Sequence, residues 1–434
     1  MNMDVMGVRE VSPGYEFVAE NPAVPVGYKQ TEVGVIPEDW DLQRLGELAK
    51  FRTGPFGSSL HKSDYVTGGI PVINPMHIVD GQLFPSSNMS VREETAGRLS
   101  EFRLQEGDIV LGRRGDMGRC AVVRKQHSGW LCGTGSMIVR PGSEADPHFL
   151  QRILSSQEII ALIENSSVGS TMINLNQSTL IGLPVKLPSK SEQLAIATAL
   201  SDVDALLEEL DRLIAKKRDI KQAAMQQLLT GETRLPGFEG EWETRTLSSI
   251  SDIRSGGTPS TSDSRLWNGG IPWCTPTDIT SLKRKYLFKT ERTISQQGLK
   301  SSSAELIPPG STIMTSRATI GECAINRVPM ATNQGFKNLV PTEVDSEFLY
   351  YIMITQKDRL ISLCTGSTFL EIGKKQLDGY ELFIPSSVEE QAAISSIISD
   401  IDTEIHALEQ RRSKTAELKQ GMMQELLTGR TRLV

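Results

Sequence analysis

One stretch of 43 residues occurs twice in the chain, and this duplication limits what the chain can fold into. Residues 193–235 and 391–433 align at an offset of 198 without a gap and share 19 of 43 residues. The shared positions include Ser201/Ser399, Asp202/Asp400 and Asp204/Asp402, and both copies run into the sequence Leu-Leu-Thr-Gly at 228–231 and 426–429. Chance does not produce such a match, so the chain is predicted to contain a duplicated structural unit.

Each copy has the apolar pattern of a coiled-coil helix, with steps of four and three between apolar residues. A proline precedes each copy (Pro188, Pro385) and a glycine follows it (Gly231, Gly429), as is typical where helices begin and end. Two helices of some forty residues, about 60 Å long at about 1.5 Å per residue, are therefore predicted to bury their seams against each other. The seam residues are Ile196, Leu200, Val203, Leu207, Leu210 and Ile214 in the first copy and Ile394, Ile398, Ile401, Ile405 and Leu408 in the second.

Length and composition indicate a cytoplasmic protein of two or three domains. The 434 residues include no apolar run long enough to span a membrane, and the first residues lack the pattern of a signal peptide. The five cysteines form no CxxC pair, which favours reduced thiols, and the histidines are scattered, so no metal site is predicted.

The net charge of −7 hides an asymmetry along the chain. Residues 43–140 hold 13 Lys/Arg against 9 Asp/Glu, and residues 245–340 hold 12 against 6, so these blocks carry +4 and +6. The remainder sums to −7 − 10 = −17. Basic globular blocks are compatible with nucleic-acid binding, whereas the acidic helices and linkers are not.

The globular blocks are duplicated as well. Trp40/Trp242, Leu45/Leu247 and Gly54/Gly256 keep an offset of 202. Other motifs keep their order with small shifts: 69–71 with 270–272, 107–110 with 310–313, 114–121 with 317–324, 169–171 with 366–368, and 187–188 with 384–385. Between these motifs the two blocks differ freely, which indicates one framework with two different surfaces.

Short β-prone runs between Gly/Pro/Ser turns predict α/β (α+β) domains with a mostly antiparallel sheet, each with a helical stretch at 149–165 or 348–363. We predict two similar domains separated by two long antiparallel coiled-coil helices in a pseudo-two-fold, near-circular molecule. The predicted boundaries are a tail (1–26), domain 1 (27–187), a helical region (188–235), domain 2 (236–384) and a second helical region (385–434).

Catalytic motifs are mostly absent from the sequence. There is no GxxxxGK[ST] phosphate loop, no Ser/His/Asp grouping and no paired acidic cluster. The glycines at 52–59 and 254–260 favour turns that begin each domain over a ligand loop. Residues 74–77 (Asn-Pro-Met-His) lack the second proline and the aromatic ring of the amino-methyltransferase motif, and we interpret them and Thr275-Pro-Thr-Asp278 as turns between strands.

Basic loops are the better candidates for function. Arg113, Arg114 and Arg317 follow predicted strands, so each could reach guanine in the major groove or bind phosphate, or could form an ion pair within its own domain. The basic run at 283–285 could follow phosphates or be a solvated turn, and Gln334 could pair with adenine or with backbone groups. The full set of predicted DNA-binding residues is Lys62, Asn74, Arg113, Arg114, Arg119, Arg265, Thr275, Lys283, Arg284, Lys285, Arg317, Gln334 and Lys337.

Four acids repeat near the start of the two helices: Asp202, Asp204, Asp400 and Asp402. The helix dipole explains part of this repetition, because acids near an N-terminus are favoured there. A contact with the same partner at both helices would also explain it, so we predict these four residues as partner-binding.

From Gly27 to Val434 the sequence resembles the specificity subunits of type I restriction-modification systems. The motifs that carry the resemblance are GYKQTEVGVIPEDW at the start, the two helices that begin at PS…EQ and end in MQQLLTGETRL and MQELLTGRTRL, and GGIPW and TNQGF in the second block. Their tandem order makes the resemblance specific.

The resemblance implies two target-recognition domains, each reading one half of an asymmetric, interrupted target in double-stranded DNA, with the helices fixing the spacing. It also implies assembly with two methylation subunits and with restriction and translocation subunits. The chain itself is then non-catalytic and holds no cofactor, while S-adenosylmethionine, ATP and Mg belong to the partner subunits.

Three alternatives remain open at this stage. The chain could be the recognition subunit of another multisubunit restriction complex that cuts on both sides of its site. A coiled-coil scaffold without DNA binding fits the helices but not the basic blocks. A self-contained methyltransferase would need a cofactor-binding glycine motif and an Asn/Asp-Pro-Pro-aromatic motif, and neither is present.

Overall fold

The structure, a computed structural model, describes residues 24–165, 175–364 and 370–433. The chain divides into two compact units: unit 1 comprises residues 1–207 and 414–434, and unit 2 comprises residues 208–413. Most of the predicted tail (1–26) and the repeated motifs at 169–171 and 366–368 lie outside the described residues.

Unit 1 joins a globular domain to parts of both long helices. Its elements are β1 (Tyr28–Thr31), β2 (Gly34–Pro37), β3 (Asp41–Arg44), α1 (Leu45–Leu48), β4 (Ala49–Thr53), β5 (Tyr65–Val66), β6 (Ile70–Ile73), β7 (Ile78–Val79), β8 (Gln82–Leu83), β9 (Ser90–Val91), α2 (Glu93–Arg98), β10 (Ile109–Gly112), β11 (Cys120–Val122), β12 (Leu131–Cys132), β13 (Ser136–Pro141), α3 (Pro147–Leu154), α4 (Gln157–Asn165), α5 (Gln177–Ile181), β14 (Pro184–Leu187) and the start of α6 (Lys190–Leu229). The end of the last helix, α13 (Val388–Leu426), completes the unit.

Unit 2 repeats this plan. Its elements are the end of α6, β15 (Trp242–Thr246), α7 (Leu247–Ile250), β16 (Ser251–Ser255), β17 (Trp267–Cys274), α8 (Pro276–Thr280), β18 (Tyr286–Leu287), β19 (Arg292–Ile294), α9 (Gln296–Lys300), β20 (Thr312–Thr315), β21 (Cys323–Asn326), β22 (Ala331–Thr332), β23 (Phe336–Pro341), α10 (Ser346–Thr355), α11 (Lys357–Ser362), α12 (Lys374–Asp378), β24 (Glu381–Pro385) and the start of α13 (Val388–Leu426).

The sheets are mostly antiparallel, as predicted. The main sheet of unit 1 has the order β11-β10-β13-β4 and that of unit 2 the order β16-β23-β20-β21-β18, in which only β18 and β21 are parallel. A second sheet, β12-β6-β9-β5 or β19-β17-β22, lies beside each main sheet. The equivalent strands therefore pair in the same way in the two units.

The central strands β10 and β20 are buried on both faces, and β10 is accordingly apolar throughout, whereas β20 begins and ends with a buried threonine. Ile109 and Leu111 belong to the core formed with α3 and α4, whereas Val110, pointing the other way, belongs to the core formed with the second sheet. In unit 2, Met314 and Ile313 divide between two cores in the same manner. Each predicted helical stretch is two helices, α3/α4 and α10/α11, separated at residues 155–156 and 356.

The two long helices are confirmed at 40 and 39 residues, and they run antiparallel within each unit. Two ion pairs between the helices show this in unit 2: Asp211 pairs with Arg412 (3.0 Å) and Lys221 with Asp402 (2.6 Å). The residue number increases along α6 while that of its partner decreases along α13, as in antiparallel helices. Of the predicted seam residues, Ile196, Leu200, Ile394 and Ile398 are at most 1% exposed and belong to the cores of the globular domains, whereas Val203, Leu207, Ile401 and Leu408 are only partly buried. No helix in the described ranges is long and apolar enough to cross a membrane.

Candidate nucleic-acid interface

Five loops of unit 1 meet at one end of the main sheet, and we call this surface loop face 1 (residues 52–57, 74–75, 113–119, 133–135 and 175–177). Backbone hydrogen bonds join the loops: Arg113 N donates to Gly135 O (3.0 Å), Leu175 N to Arg113 O (3.0 Å) and Gly54 N to Ser136 O (2.9 Å). A Cβ on Gly54 would lie 1.9 Å from Gly133 O, so only glycine permits this approach.

Unit 2 assembles the same loops into loop face 2 (residues 255–260, 275–276, 316–321, 333–335 and 371–374). Ser316 N donates to Gly335 O (2.7 Å), Ile372 N to Ser316 O (3.1 Å) and Gly257 N to Thr332 O (2.9 Å). Gly256 takes the place of Gly54, since its Cβ would lie 1.8 Å from Asn333 O. The repeated glycines of the sequence are therefore the residues at which these loops cross.

The arginine-bearing loop has the same left-handed backbone in both units. Gly115 and Gly118 have φ values of 81° and 79°, and the equivalent residues Ala318 and Gly321 have 58° and 80°. An alanine in this region is strained by about 1–2 kcal/mol. Such strain is common where a loop must present a side chain in a fixed direction, which fits the exposed arginines that precede these positions.

Among the described residues of loop face 1, the predicted DNA-binding side chains divide into Arg114, which makes no hydrogen bond or ion pair, and several tethered side chains. Arg114 is exposed. The neighbouring Arg113 donates from Nε to Leu175 O (2.9 Å), and burial, followed by the charge of Arg114, lowers its pKa. Arg119 is paired with Asp116. Arg114 is therefore the cation of loop face 1 that is best placed to meet a ligand.

The two other predicted DNA-binding residues of unit 1, Asn74 and Lys62, differ in where they lie relative to loop face 1. Asn74 lies inside the loop assembly, where its Oδ1 accepts from Gly135 N (3.4 Å). This contact supports the interpretation of residues 74–77 as a turn. Lys62 is exposed on a 3₁₀ helix, Lys62–Asp64, and none of the contacts that join loop face 1 involves it.

Loop face 2 brings together Arg317, Gln334 and Thr275, and Lys337 lies on β23, two residues after the 333–335 loop. Arg317 Nε lies 2.9 Å from Glu371 Oε2 and its side chain remains 46% exposed. Gln334 accepts a hydrogen bond from Thr258, and Thr275 Oγ1 donates to Asp278 (2.7 Å). Lys337 is 8% exposed, and burial lowers the pKa of its ammonium.

The remaining predicted cations of unit 2 lie outside the contacts that form loop face 2. Arg265 is exposed and makes a two-point ion pair with Asp263, its neighbour in sequence. Lys283 is exposed, and Arg284 contacts His406 on α13.

Lys285 corrects the prediction that the whole basic run follows phosphates. Its side chain is 8% exposed, and its ammonium donates to Glu347 (2.7 Å), Tyr351 Oη (2.8 Å) and Ser399 Oγ (2.7 Å). Three partners satisfy all the donors of an ammonium. Lys285 therefore joins the globular domain to α13, and it is not a free cation for DNA.

Two of the four repeated acids make ion pairs within the fold, and their assignment as partner contacts stays a prediction. Asp204 pairs with Arg152 (2.5 Å) and with Lys419 of α13 (2.6 Å). Asp402 pairs with Lys221 of α6 (2.6 Å) and accepts from Tyr351 Oη (2.7 Å). In both units this carboxylate thus joins the domain to two helices.

Asp202 and Asp400 are exposed, and they remain predictions as partner contacts.

A buried carboxylate at the start of each long helix closes each unit, and sequence reasoning missed its role. In unit 1, Glu192 is 2% exposed and accepts from Trp40 Nε1 (3.0 Å) and from Arg432 Nε (2.7 Å) and Nη2 (2.9 Å). In unit 2, Glu390 is 0% exposed and accepts from Arg234 (2.6 and 2.8 Å) and Trp242 (3.3 Å). We call these two groups the Trp–Glu–Arg clasps.

The clasps explain why the repeated motifs recur together. The glutamate comes from the PS…EQ start of one helix, the arginine from the TRL that follows the other, and the tryptophan from the segment that leads into the domain. Gly429 turns the chain at φ 74°, and a Cβ there would lie 2.5 Å from Pro37. Recurrence of all three motifs at nearly constant offsets was the signal that could have revealed this contact.

Within the described ranges, no group of three or more His, Cys, Asp or Glu side chains could hold a metal ion. Burial raises the pKa of the Cys120 thiol to about 12 and also raises the pKa of the Cys274 thiol. These two thiols are therefore protonated and packed in the fold. What the chain presents twice is a loop face carrying exposed arginine on a framework of long helices. This defines a class of two-domain recognition proteins in which the framework is duplicated and the loop faces differ.

The family follows from comparison with known proteins. The model of the type I restriction modification DNA specificity domain matches residues 37–217 and 239–419, and the chain belongs to this family. Two relatives come from Methanocaldococcus jannaschii. The type I restriction enzyme MjaIX specificity subunit is 37% identical over 39% of this chain and 40% of its own length. The putative type I restriction enzyme MjaX specificity subunit is 23% identical over 94% of this chain and 97% of its own length.

Solved structures share the fold. The S subunit of a type I restriction-modification system from M. genitalium covers 89% of this chain and 96% of its own, with a TM-score of 0.54 and 20% identity. A chain from a type I restriction-modification system, solved in work on complex assembly and conformational transition, covers 91% and 99% with a TM-score of 0.56 and 19% identity. The predicted architecture of two similar domains and two long helices is thus confirmed.

Proposed function

We propose that this chain is the non-catalytic DNA specificity subunit of a type I restriction-modification complex. Each globular domain reads one half of an asymmetric, interrupted target in double-stranded DNA, and the helices set the distance between the half-sites. The observation that carries this proposal is the pair of loop faces, which share a backbone framework but carry different side chains at equivalent places.

The difference between the loop faces supports two unlike half-sites. Loop face 1 presents Arg114 followed by Gly115, whereas loop face 2 presents Arg317 followed by Ala318, with Glu371 paired to the arginine. Arginine recognises guanine by two hydrogen bonds, and an exposed arginine is suited to that contact. Because loop face 2 adds a carboxylate beside its arginine, the two faces present different groups to DNA.

The helices suit protein partners rather than DNA. Asp202 and Asp400 remain exposed at equivalent positions of α6 and α13, on helices whose surroundings are acidic. We propose that they contact two copies of one partner, the methylation subunit. Restriction and translocation subunits complete the complex, and S-adenosylmethionine, ATP and Mg are held by the partner subunits.

The first experiment is co-expression of the chain with the methylation subunit encoded beside it, followed by long-read mapping of methylated adenines in host DNA. The proposal predicts methylation of one interrupted, asymmetric motif, present only when both proteins are made. Exchange of residues 43–187 for another domain should change one half-site alone. A complex that forms without new methylation would contradict the proposal.

Single substitutions test whether loop face 1 recognises the half-site. Arg114→Ala should relax or weaken recognition of the half-site read by unit 1, because each well-placed base contact contributes about 1–3 kcal/mol of discrimination. Lys125→Ala provides a matched control, since Lys125 is also an exposed cation of unit 1 but lies outside loop face 1. Equal effects of both substitutions would indicate general electrostatics rather than recognition by the loop face.

A further inference from the structure

Lys337, a buried lysine beside loop face 2, is unexpected at its position in the fold. It is the second residue of β23, where it pairs across the sheet with Met314 of β20. The equivalent pair in unit 1 is Leu111 with Met137, and Met137 is fully buried in the core. Unit 2 thus has a lysine where the shared framework accommodates a core methionine.

The lysine stem fills that core position. Residues directly opposite each other on antiparallel strands point to the same face, so Lys337 shares the face of Met314 and Leu339, both of which belong to the core beneath α10. With 8% of the residue exposed, the four methylenes are packed. A long cationic side chain in such a setting extends its charge past the edge of the core.

The ammonium group of Lys337 lies near two other cations, Arg317 and Lys374. A Cβ on Gly335, two residues before Lys337, would lie 3.9 Å from Arg317 Cβ, and Arg317 forms a β-bridge with Glu371, three residues before Lys374. Burial is the largest cause of the lowered pKa of Lys337; Glu371 raises this pKa, whereas Arg317 and Lys374 lower it. Glu371 is already paired with Arg317 at 2.9 Å. Among the described residues, the Lys337 ammonium makes no hydrogen bond or ion pair, so the cluster has three cations for one carboxylate.

The largely buried Lys337 ammonium would gain from a bound anion, since burial of an unpaired charge is unfavourable. Phosphate fits better than a base edge, because an ammonium is a point charge without the fixed donor pattern that distinguishes bases. We propose that Lys337, together with Arg317 and Lys374, holds one backbone phosphate of the DNA half-site bound by unit 2. This inference rests on the proposed function, and it assigns unit 2 a phosphate contact that Met137 cannot make in unit 1.

The test compares Lys337→Met with the wild type in the complex with the methylation subunit. Met137 shows that methionine packs at this position, so the variant should fold with a urea midpoint no lower than that of the wild type. Binding to a duplex carrying the mapped target is measured by fluorescence anisotropy at several salt concentrations. Because Arg317 and Lys374 remain, loss of the Lys337 contact should reduce the slope of log K against log salt by up to about 0.9, so between about 50 and 200 mM salt the wild-type affinity should fall up to about 3.5-fold more than the variant's.

Lys300→Met is the matched control, because it removes the same charge from an exposed position on α9 of the same unit. It should keep the wild-type salt slope. The inference is overturned if Lys337→Met also keeps that slope, if the control loses as much, or if Lys337→Met changes which bases are methylated. Absence of specific binding by the wild-type complex would instead refute the proposed function.

Discussion

The Trp–Glu–Arg clasps lead to a prediction about how each unit is held together. We consider Glu192→Gln in unit 1, which keeps the shape of the side chain but removes its charge. Glu192 accepts two hydrogen bonds from Arg432 and one from Trp40 while 2% exposed. The change leaves a buried ring nitrogen and a guanidinium with weaker acceptors.

The magnitude follows from burial. Breaking a buried ion pair by changing one partner destabilises a protein by about 3–5 kcal/mol. Arg432 is 25% exposed and keeps Asp39, whose carboxylate lies 2.7 Å away, so its charge is not left unpaired. We therefore expect a loss of about 2–3 kcal/mol for Glu192→Gln, which corresponds to a fall in melting temperature of about 4–12 °C for a unit of this size.

Asp39→Asn is the matched control. It removes a carboxylate from the same arginine, but Asp39 is 66% exposed, and exposed ion pairs contribute less than about 1 kcal/mol. In unit 2, Glu390→Gln should destabilise more than Glu192→Gln, because in the described part of the chain Arg234 pairs with no other carboxylate. The expected order of destabilisation is Glu390→Gln, then Glu192→Gln, then Asp39→Asn.

The measurement is urea unfolding of the full chain, followed by tryptophan fluorescence and, for each unit separately, by amide hydrogen exchange at the helix N-termini. Because the chain has two units, a single two-state fit is not assumed. Equal losses for Glu192→Gln and Asp39→Asn would refute the reasoning, since burial would then have no influence. So would faster exchange in unit 2 alone after the unit 1 substitution.

Three further predictions concern stability. Asp204→Asn should lower the urea midpoint more than Asp202→Asn, because Asp204 pairs with two cations whereas Asp202 is exposed; equal midpoints would contradict the structural role of Asp204. Burial lowers the pKa of His77 below its usual 6.5, so its contribution to stability is complete above about pH 6.5 and is lost as the pH falls below that value. His77→Gln should flatten the fall in urea midpoint between about pH 7.5 and 5.5. Ala318→Gly should raise stability by up to about 1 kcal/mol by relieving a left-handed alanine, and an unchanged midpoint would show that the strain is absent.

Much of the framework could be predicted from the sequence because the chain carries two copies of it. The apolar steps of four and three located both long helices, and a proline before and a glycine after each copy marked their ends. The breaks at 155–156 and 356 escaped detection, since apolar residues continue on both sides of them and only the local backbone shows the change.

The site was predicted less well, for an identifiable reason. Charged residues such as Lys285 and Asp204 have the same composition signal whether they face solvent or a partner in the fold. Their roles depend on residues far away in sequence: Lys285 meets Ser399, and Asp204 meets Lys419. The spacing of residues in the sequence indicates which residues share a face of one helix or strand. It does not show which side chains of different elements contact each other, because that depends on distances in the folded structure.

The two units attach the globular domain to the long helix through different residues. This attachment does not involve the loop faces. Ser201 and Asp204 on α6 meet a single side chain, Arg152, whose guanidinium contacts both (3.4 and 2.5 Å). On α13 the equivalent Ser399 and Asp402 contact two side chains, since Lys285 donates a hydrogen bond to Ser399 and Tyr351 donates one to Asp402.

The helix therefore presents the same two acceptors in each unit, and a domain needs only donors that reach them. Tyr351 occupies the position of Arg152 in the helix that packs on the core, and Lys285 supplies from another loop the charge that tyrosine lacks. Because those donors belong to the domain and the acceptors to the helix, the contact places no requirement on Arg114, Arg317 or the other loop-face residues. The loop faces can differ while the attachment of each domain to the helices stays the same, which is the physical condition for two different half-sites on one framework.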